Sequence, residues 1–193
     1  MTFDEAYYEN DLPRADHSHY LKRAEWILAN YGGKRVIELG CGFGQVIKHL
    51  RDNGVIAWGV DGSAYAVANT YATGYVFEIN AAEHSDIKLQ DFVVSWNFLD
   101  SLLDEAEAEA VVDRINKSRT NYHVLCMDDG SLDAEAFKAK GYFIKPVEYW
   151  LALVDDDVIL IDYFSRVAYN FTDQGQLDIP LSWKFKCESV NRV

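Results

Sequence analysis

The chain of 193 residues has little of several things. It has three cysteines, Cys41, Cys126 and Cys187, widely spaced and odd in number. That excludes a disulfide framework and the close ligand spacing of a zinc site. No apolar run approaches the roughly 18 residues that a membrane-spanning helix needs. The opening residues, Met1-Thr-Phe-Asp-Glu-Ala-Tyr-Tyr8, are acidic and lack the apolar centre of a signal peptide. The expectation is a cytosolic protein with no membrane partner. Positive charge is also scarce, with 18 lysines and arginines against 31 acids and a net charge of −13. A protein that grips a nucleic acid backbone usually presents a basic face. Here Lys34-Arg35, Lys48, Arg51 and Lys184-Phe-Lys186 are scattered. The balance argues against nucleic acid and for a small-molecule or protein partner. There is no repeat, low-complexity tract or interdomain linker. Hydrophobic content of 49% over this length suits one domain, residues 1–193, with a full core.

The most informative stretch is Val36-Ile-Glu-Leu-Gly-Cys-Gly-Phe-Gly44, followed by Val60-Asp61. An apolar run ends in an acid, three glycines alternate, and a second apolar run ends in another acid. The pattern predicts a strand, a tight turn, a helix and a second strand. A glycine turn there lets the backbone approach a ligand where a Cβ would collide, and the helix that follows offers unpaired N–H groups. The dinucleotide fingerprint is G-x-G-x-x-G. Gly40, Gly42 and Gly44 instead give G-x-G-x-G. Glu38, two residues before the first glycine, would repel a pyrophosphate but suits a cationic amino group. Asp61 ends the strand predicted over 55–60, where a carboxylate can accept from both ribose hydroxyls. The implied ligand carries a ribose and an amino acid moiety, without a diphosphate.

Glu38-Leu-Gly-Cys-Gly-Phe-Gly-Gln45 and Gly59-Val-Asp-Gly-Ser-Ala64 resemble the first two motifs of class I S-adenosylmethionine (SAM)-dependent methyltransferases. The resemblance extends over roughly residues 20–165 in order of elements and is specific over 35–97. It implies SAM as cofactor and S-adenosylhomocysteine (SAH) as product. It places Gly40, Cys41, Gly42 and Gly44 under the methionine part, Glu38 at its amino end, and Asp61 with Gly62 at the ribose. Asn80 aligns with the position that binds the adenine amino group, its side-chain carbonyl accepting, and the backbone of Ala81 lies beside the ring. A plain turn role for Asn80 is the competing reading. Cys41 also reads as a small packing residue rather than a nucleophile.

Helical spacing of Leu21, Ala24, Ile27 and Leu28 predicts a helix over 20–31, ended by Gly32-Gly33. Further helices are expected over 44–53, 63–70 with Ser63 as N-cap, 102–116, and 146–154 with Pro146 in the first position. Strands are expected over 35–39, 55–60, 75–79, 92–96, 121–127, 158–164 and 181–187, the last antiparallel to the sixth. Alternating strands and helices imply a parallel sheet covered on both faces. The resulting expectation is an α/β, three-layer, doubly wound fold with a mostly parallel seven-stranded sheet and an antiparallel C-terminal strand. Ligands in such sheets bind at the carboxyl ends of strands. Glu38, Asp61, Asn80 and Trp96 each fall at or just past such an end.

Ser95-Trp-Asn-Phe-Leu-Asp100 follows the fourth strand and resembles the family's loop at the methyl-transfer face. Ser95 and Trp96 are cofactor candidates; Trp96 covers the adenosine, walls the substrate site, or packs in the core. Asn97 and Asp100 are candidates to touch substrate. Asn97 and His123 are the candidate catalytic residues, His123 as a general base if it faces the pocket. The loop is not the Asp/Asn-Pro-Pro-Tyr/Phe of amino-methylating DNA enzymes, and none of Pro13, Pro146 and Pro180 precedes a cysteine. Ala6-Tyr-Tyr-Glu9 and Tyr20-Leu-Lys-Arg-Ala-Glu-Trp-Ile-Leu28 resemble the lead-in of small bacterial and archaeal SAM methyltransferases, which implies that residues 1–31 form a lid on which Tyr8 or Tyr20 closes over the methionine end; a solvated or partly packed tail is the alternative. His17-Ser-His19 has no further ligand cluster nearby, so no metal is expected. Residues 128–193 are the expected substrate side, with 128–131 and 169–176 either substrate loops or plain connections.

Methyl transfer from a sulfonium needs alignment and a proton acceptor more than a dedicated catalytic side chain. The leading reading is therefore a SAM-dependent methyltransferase acting on an O or N nucleophile of a small molecule or protein side chain. A SAM-binding but catalytically degenerate interaction module is the alternative, and an NAD-dependent oxidoreductase a third that the glycine spacing opposes.

Overall fold

A computed structural model of the chain describes residues 3–11, 18–83, 91–118, 120–126, 128, 132–153, 158–164 and 182–188. The N-terminal residues make a π-helical turn, Tyr7–Asp11, before helix α1, Ser18–Tyr31. Alternation follows: β1 Val36–Leu39, α2 Gln45–Asp52, β2 Ala57–Asp61, α3 Ala64–Ala68, β3 Val76–Glu78 and β4 Phe92–Trp96. A single 3-10 turn, Leu99–Ser101, leads to α4, Glu105–Asn116. Then come β5 Thr120–Cys126, α5 Leu132–Ala139, α6 Val147–Leu153, β6 Val158–Phe164 and β7 Ser182–Glu188.

Five strands form a parallel sheet in the order β3-β2-β1-β4-β5. Strand order reverses between β1 and β4, which leaves a crevice at their carboxyl ends. The backbones of β7 and β6 continue the sheet beyond β5, each paired antiparallel to its neighbour.

Strand periodicity divides the core in two. Val36, Ala57, Phe92, Val94 and Tyr122 pack with Ala24 and Ile27 of α1 and Val46, Ile47 and Leu50 of α2. Their alternate neighbours Ile37, Leu39, Val60, Val93 and Leu125 pack with Ala108, Val111, Val112 and Ile115 of α4 and Trp150 of α6. The central strands β1 and β4 are therefore buried on both faces, as parallel strands covered by helices must be.

Local signals set the element ends. Ser63 caps α3, its Oγ accepting from the Ala66 amide at 3.3 Å. Asp104 caps α4, its Oδ1 accepting from the Glu107 amide at 2.9 Å, while Glu107 reaches back to the Leu103 amide at 2.7 Å. This reciprocal cap starts α4 at Glu105, three residues later than the periodicity suggests. Helix α5 was not anticipated from the sequence.

Candidate functional site

The turn after β1 is built from backbone that only glycine adopts easily. Gly40, Gly42 and Gly44 have φ of 65°, 54° and 71°, in the left-handed region. At Gly40 a Cβ would also lie 2.5 Å from the Phe98 ring. The amides of Gly40 and Cys41 donate to the Val60 carbonyl at 2.9 and 3.2 Å, and the Gly42 amide donates to Asp61 Oδ2 at 2.8 Å. The loop is thus tied to the end of β2, and Asp61 is held by the turn it faces.

Asp61 Oδ1 accepts from the Ser63 amide at 2.9 Å and from the Tyr8 hydroxyl at 3.4 Å. Burial raises the Asp61 pKa, and the Ser63, Gly42 and Tyr8 donors counter that rise. Glu38 is 3% exposed and its Oε2 has no hydrogen-bond partner. Burial pushes its pKa up to about 8, opposed by the positive charge of Arg23 and assisted by the negative charge of Asp61. In register, Glu38 pairs with Gly59 and Leu39 with Val60, so Asp61 stands just beyond the end of β1.

Both acids open into a cavity of about 870 Å³ at the carboxyl ends of the parallel strands. Of the residues expected from sequence, Tyr20, Glu38, Gly40, Cys41, Gly42, Asp61, Gly62, Asn80, Ala81, Trp96 and Asn97 all line it. Asp100 and Tyr8 line it as well. Cys41 turns its sulfur against β2: a Cβ on Gly59 would meet Sγ at 2.4 Å. Burial holds its thiol well above the usual range, so it packs and is not a nucleophile. Asn80 Oδ1 accepts from the Ala82 amide at 2.8 Å, the local turn role weighed above. Trp96 lines the cavity and also packs against Trp26 and Tyr122. Asn97, immediately past β4, has φ 54°, alone among the described non-glycine residues in being positive.

Three expectations need correction. Ser95 does not line the cavity; it is fully buried and its Oγ lies 2.7 Å from His123 Nδ1. Alternation along β4 puts Ser95 opposite in direction to Trp96. His123 is on the same inner face, away from the cavity, and burial lowers its pKa to about 3, so it is a neutral core residue and not a general base. Gly44 lies outside the cavity too. A Cβ there would strike Val76 at 2.6 Å and Thr70 at 2.9 Å, so this glycine seats the turn against β3. His17 and residues 129–131 and 169–176 lie outside the described residues. Asp128 pairs with Lys138. Among the described residues no His, Cys, Asp or Glu cluster is arranged to hold a metal.

Among the cavity residues that sequence reasoning missed are Arg23, Phe137 and Tyr142. Arg23 stands on α1, one turn after Tyr20, with its guanidinium 4.8 Å from the Trp96 ring and 5.5 Å from the Tyr20 ring. The i, i+3 spacing from Tyr20 was the available signal. Tyr7, in the lead-in segment, lines the cavity, as do Phe137 and Tyr142, which no motif marks. The N-terminal segment lies over the site: Tyr7 is hydrogen-bonded to Tyr142, Tyr8 reaches Asp61, and the Tyr65 hydroxyl donates to Glu9 at 2.7 Å.

A glycine turn between two carboxylates at a strand-order reversal is the arrangement that the motifs implied. The family model described as a methyltransferase domain matches residues 12–170. The chain belongs to this methyltransferase family. The resemblance carried by residues 35–97 is borne out. No curated protein matches the chain. Among solved structures, the chain is similar to one in the complex of the Haloferax volcanii Trm112 methyltransferase activator with the putative methyltransferase. The TM-score is 0.67 at 15% identity, over 92% of this chain and 91% of that one. It is similar to magnesium protoporphyrin IX methyltransferase (ChlM) of Synechocystis PCC 6803 with bound SAH, at TM-score 0.63 and 16% identity, over 87% and 80%. A SAM-dependent methyltransferase from Archaeoglobus fulgidus aligns at TM-score 0.61 and 17% identity, over 86% and 91%. At such identities the likeness speaks for the α/β fold with its parallel sheet. Among the described residues no helix is long and apolar enough to cross a membrane.

Proposed function

We propose that this chain is a SAM-dependent methyltransferase that moves a methyl group to an O or N nucleophile of a small molecule or a protein side chain. One observation carries the reading: Glu38, a buried acid with one carboxyl oxygen that has no hydrogen-bond partner, lines a cavity beside Asp61, next to a turn where a Cβ on Gly40 would strike Phe98. A cationic amino group satisfies the Glu38 oxygen. The adjacent Arg23 guanidinium suits the carboxylate of the same amino acid moiety, so one acid and one base match a zwitterion. The ribose hydroxyls fall to Asp61, and the adenine ring to Asn80, Ala81 and Ile79. When bound, SAM supplies a methyl group on a sulfonium, open to displacement by a lone pair. The family membership and the likeness to a SAH-bound neighbour support the same cofactor.

In this reading the chain acts as one domain. Its finer architecture is the seven-stranded sheet with an antiparallel C-terminal strand, a reading that the antiparallel pairing of β7 with β5 and β6 supports. The dispersed cysteines favour the cytosol. The partner is the methyl acceptor rather than nucleic acid.

The test is calorimetric titration with SAM and SAH, followed by transfer of a labelled methyl group to candidate acceptors. Micromolar binding is expected in the wild type. It should be lost in Asp61→Ala and in Gly42→Val, which forces a side chain into a positive-φ position. No binding by well-folded protein would favour the degenerate interaction module instead.

A further inference from the structure

Phe98 lies directly against the glycine turn. A Cβ built on Gly40 would fall 2.5 Å from its Cδ2 and 2.9 Å from its Cγ. Local structure holds the ring there. Asn97, the residue before it, keeps the left-handed φ of 54°, a conformation that persists only where its surroundings impose it and that gathers at ligand sites. The Phe98 carbonyl accepts from the Ser101 amide at 2.9 Å and from Ser101 Oγ at 2.6 Å, which ties it to the 3-10 turn. The side chain packs on the core that includes α4 and also lines the cavity.

What sets Phe98 apart is its lack of a ring or cation partner. The other Phe, Tyr and Trp side chains lining the cavity each meet at least one aromatic ring, as Tyr7 meets Phe3, Phe137 meets Tyr142 and Trp96 meets Trp26. The Arg23 guanidinium already stands over Trp96 and Tyr20. Among the described residues Phe98 makes neither a ring pair nor a cation–π contact. A fixed π face beside the turn is therefore left for a ligand. Such a face attracts a cation within about 6 Å of its centroid, the more so where water is excluded.

SAM carries such a cation, and the motif resemblance lays its methionine part along this turn. A sulfonium bears three carbons and has no N–H or O–H to donate, so hydrogen-bond acceptors hold it poorly. A carboxylate would balance the charge but would bring a lone pair able to take the methyl group. A ring face balances it without a nucleophile. We infer that Phe98 is a specificity-determining residue whose ring recognises the positive charge on the cofactor's sulfur and so separates SAM from SAH, whose thioether is neutral. This rests on the methyltransferase reading above. Once the methyl group has left, the attraction is gone, which favours exchange of the product for fresh cofactor.

The test is calorimetric titration at pH 7 with SAM, SAH and sinefungin, which carries an ammonium group where SAM carries the sulfonium. In Phe98→Leu the ratio of SAM to SAH affinity should fall about 2- to 30-fold, and the ratio of sinefungin to SAH affinity should fall with it. Phe98→Tyr keeps the π face and should keep both ratios. If the leucine variant does not fold, Phe98 replaced by 3,4,5-trifluorophenylalanine retains the ring's outline but weakens its negative face, and both ratios should again fall. Equal losses of SAM and SAH, a greater loss of SAH, or a sinefungin ratio that stays put while that of SAM drops would each overturn the inference, the last by pointing to packing of the methyl group. Failure of the folded wild type to bind SAM and SAH at all would count against the methyltransferase reading instead, so the two failures are distinguishable.

Discussion

Glu38 is the residue where folding and ligand binding pull in opposite directions. Its carboxyl has an ordinary pKa of 4.5 and one near 8 in the folded chain, chiefly through burial. The folded state therefore holds a proton that the unfolded chain releases between those values. Stability from this group is full below about pH 4.5 and declines as pH rises through about 8. Glu38→Gln mimics the protonated form and should flatten that decline. The melting temperature of the ligand-free protein at pH 7.5 is expected to rise, measured by calorimetry across pH 4–9. Ligand binding reverses the preference, because a cationic amino group favours the carboxylate. SAH binding to the wild type at pH 7 should release a proton, detected by titration in buffers of different ionisation enthalpy. The glutamine variant should bind more weakly and release none. A variant that binds SAH as tightly as wild type would remove Glu38 from the site.

At the scale of elements, the N-terminal turn Tyr7–Asp11 and the β1–α2 glycine turn meet at Asp61. The Tyr8 hydroxyl donates to Asp61 Oδ1 at 3.4 Å, an oxygen that the ribose contact proposed above also uses. Tyr8→Phe keeps the ring against Phe43 and removes the competitor. SAH binding should tighten, by no more than about tenfold given the net worth of one hydrogen bond; weaker binding would mean that the hydroxyl contacts the ligand. The glycine turn is locked to β2 by packing as well. A methyl on Gly59 would collide with the Cys41 sulfur, so Gly59→Ala should cost about 1–3 kcal/mol of stability. Cys41→Ala in the same chain should recover only part of it, because the Cβ of residue 41, at 2.8 Å, remains, a coupling readable from a denaturation double-mutant cycle. The same elements show what the sequence discloses. Glu38 and Asp61 were legible because each acid ends an apolar run and a glycine turn separates them. Ser95 and Trp96 were not separable, because β4 is apolar on both faces and gives no alternation to fix which residue points to the cavity. His123 shares that ambiguity on β5. Phe137 and Tyr142 reach the site by long-range folding of segments without a motif, and helix α5, which carries Phe137, gave too weak a pattern to be read.

At the scale of the whole molecule, the net charge of −13 acts on whatever approaches the cavity. Such a field raises the encounter rate of cations and lowers that of anions, and it is screened over about 10 Å at 0.1 M salt. The two ligands of the proposed reaction should respond differently. SAH is a zwitterion that the proposed site meets with one acid and one base, Glu38 and Arg23, and its affinity should change little with ionic strength. A cationic acceptor is drawn by the chain's net negative charge, so its kcat/KM should fall several-fold as salt is raised from about 0.05 to 0.5 M. Steady-state rates for one cationic acceptor across that range, with SAH affinity measured in the same buffers, separate the two effects. A parallel fall in both would indicate a general effect of salt on the protein. A flat acceptor profile would mean that the acidic surface does not steer the substrate, and that the contacts inside the cavity alone select it.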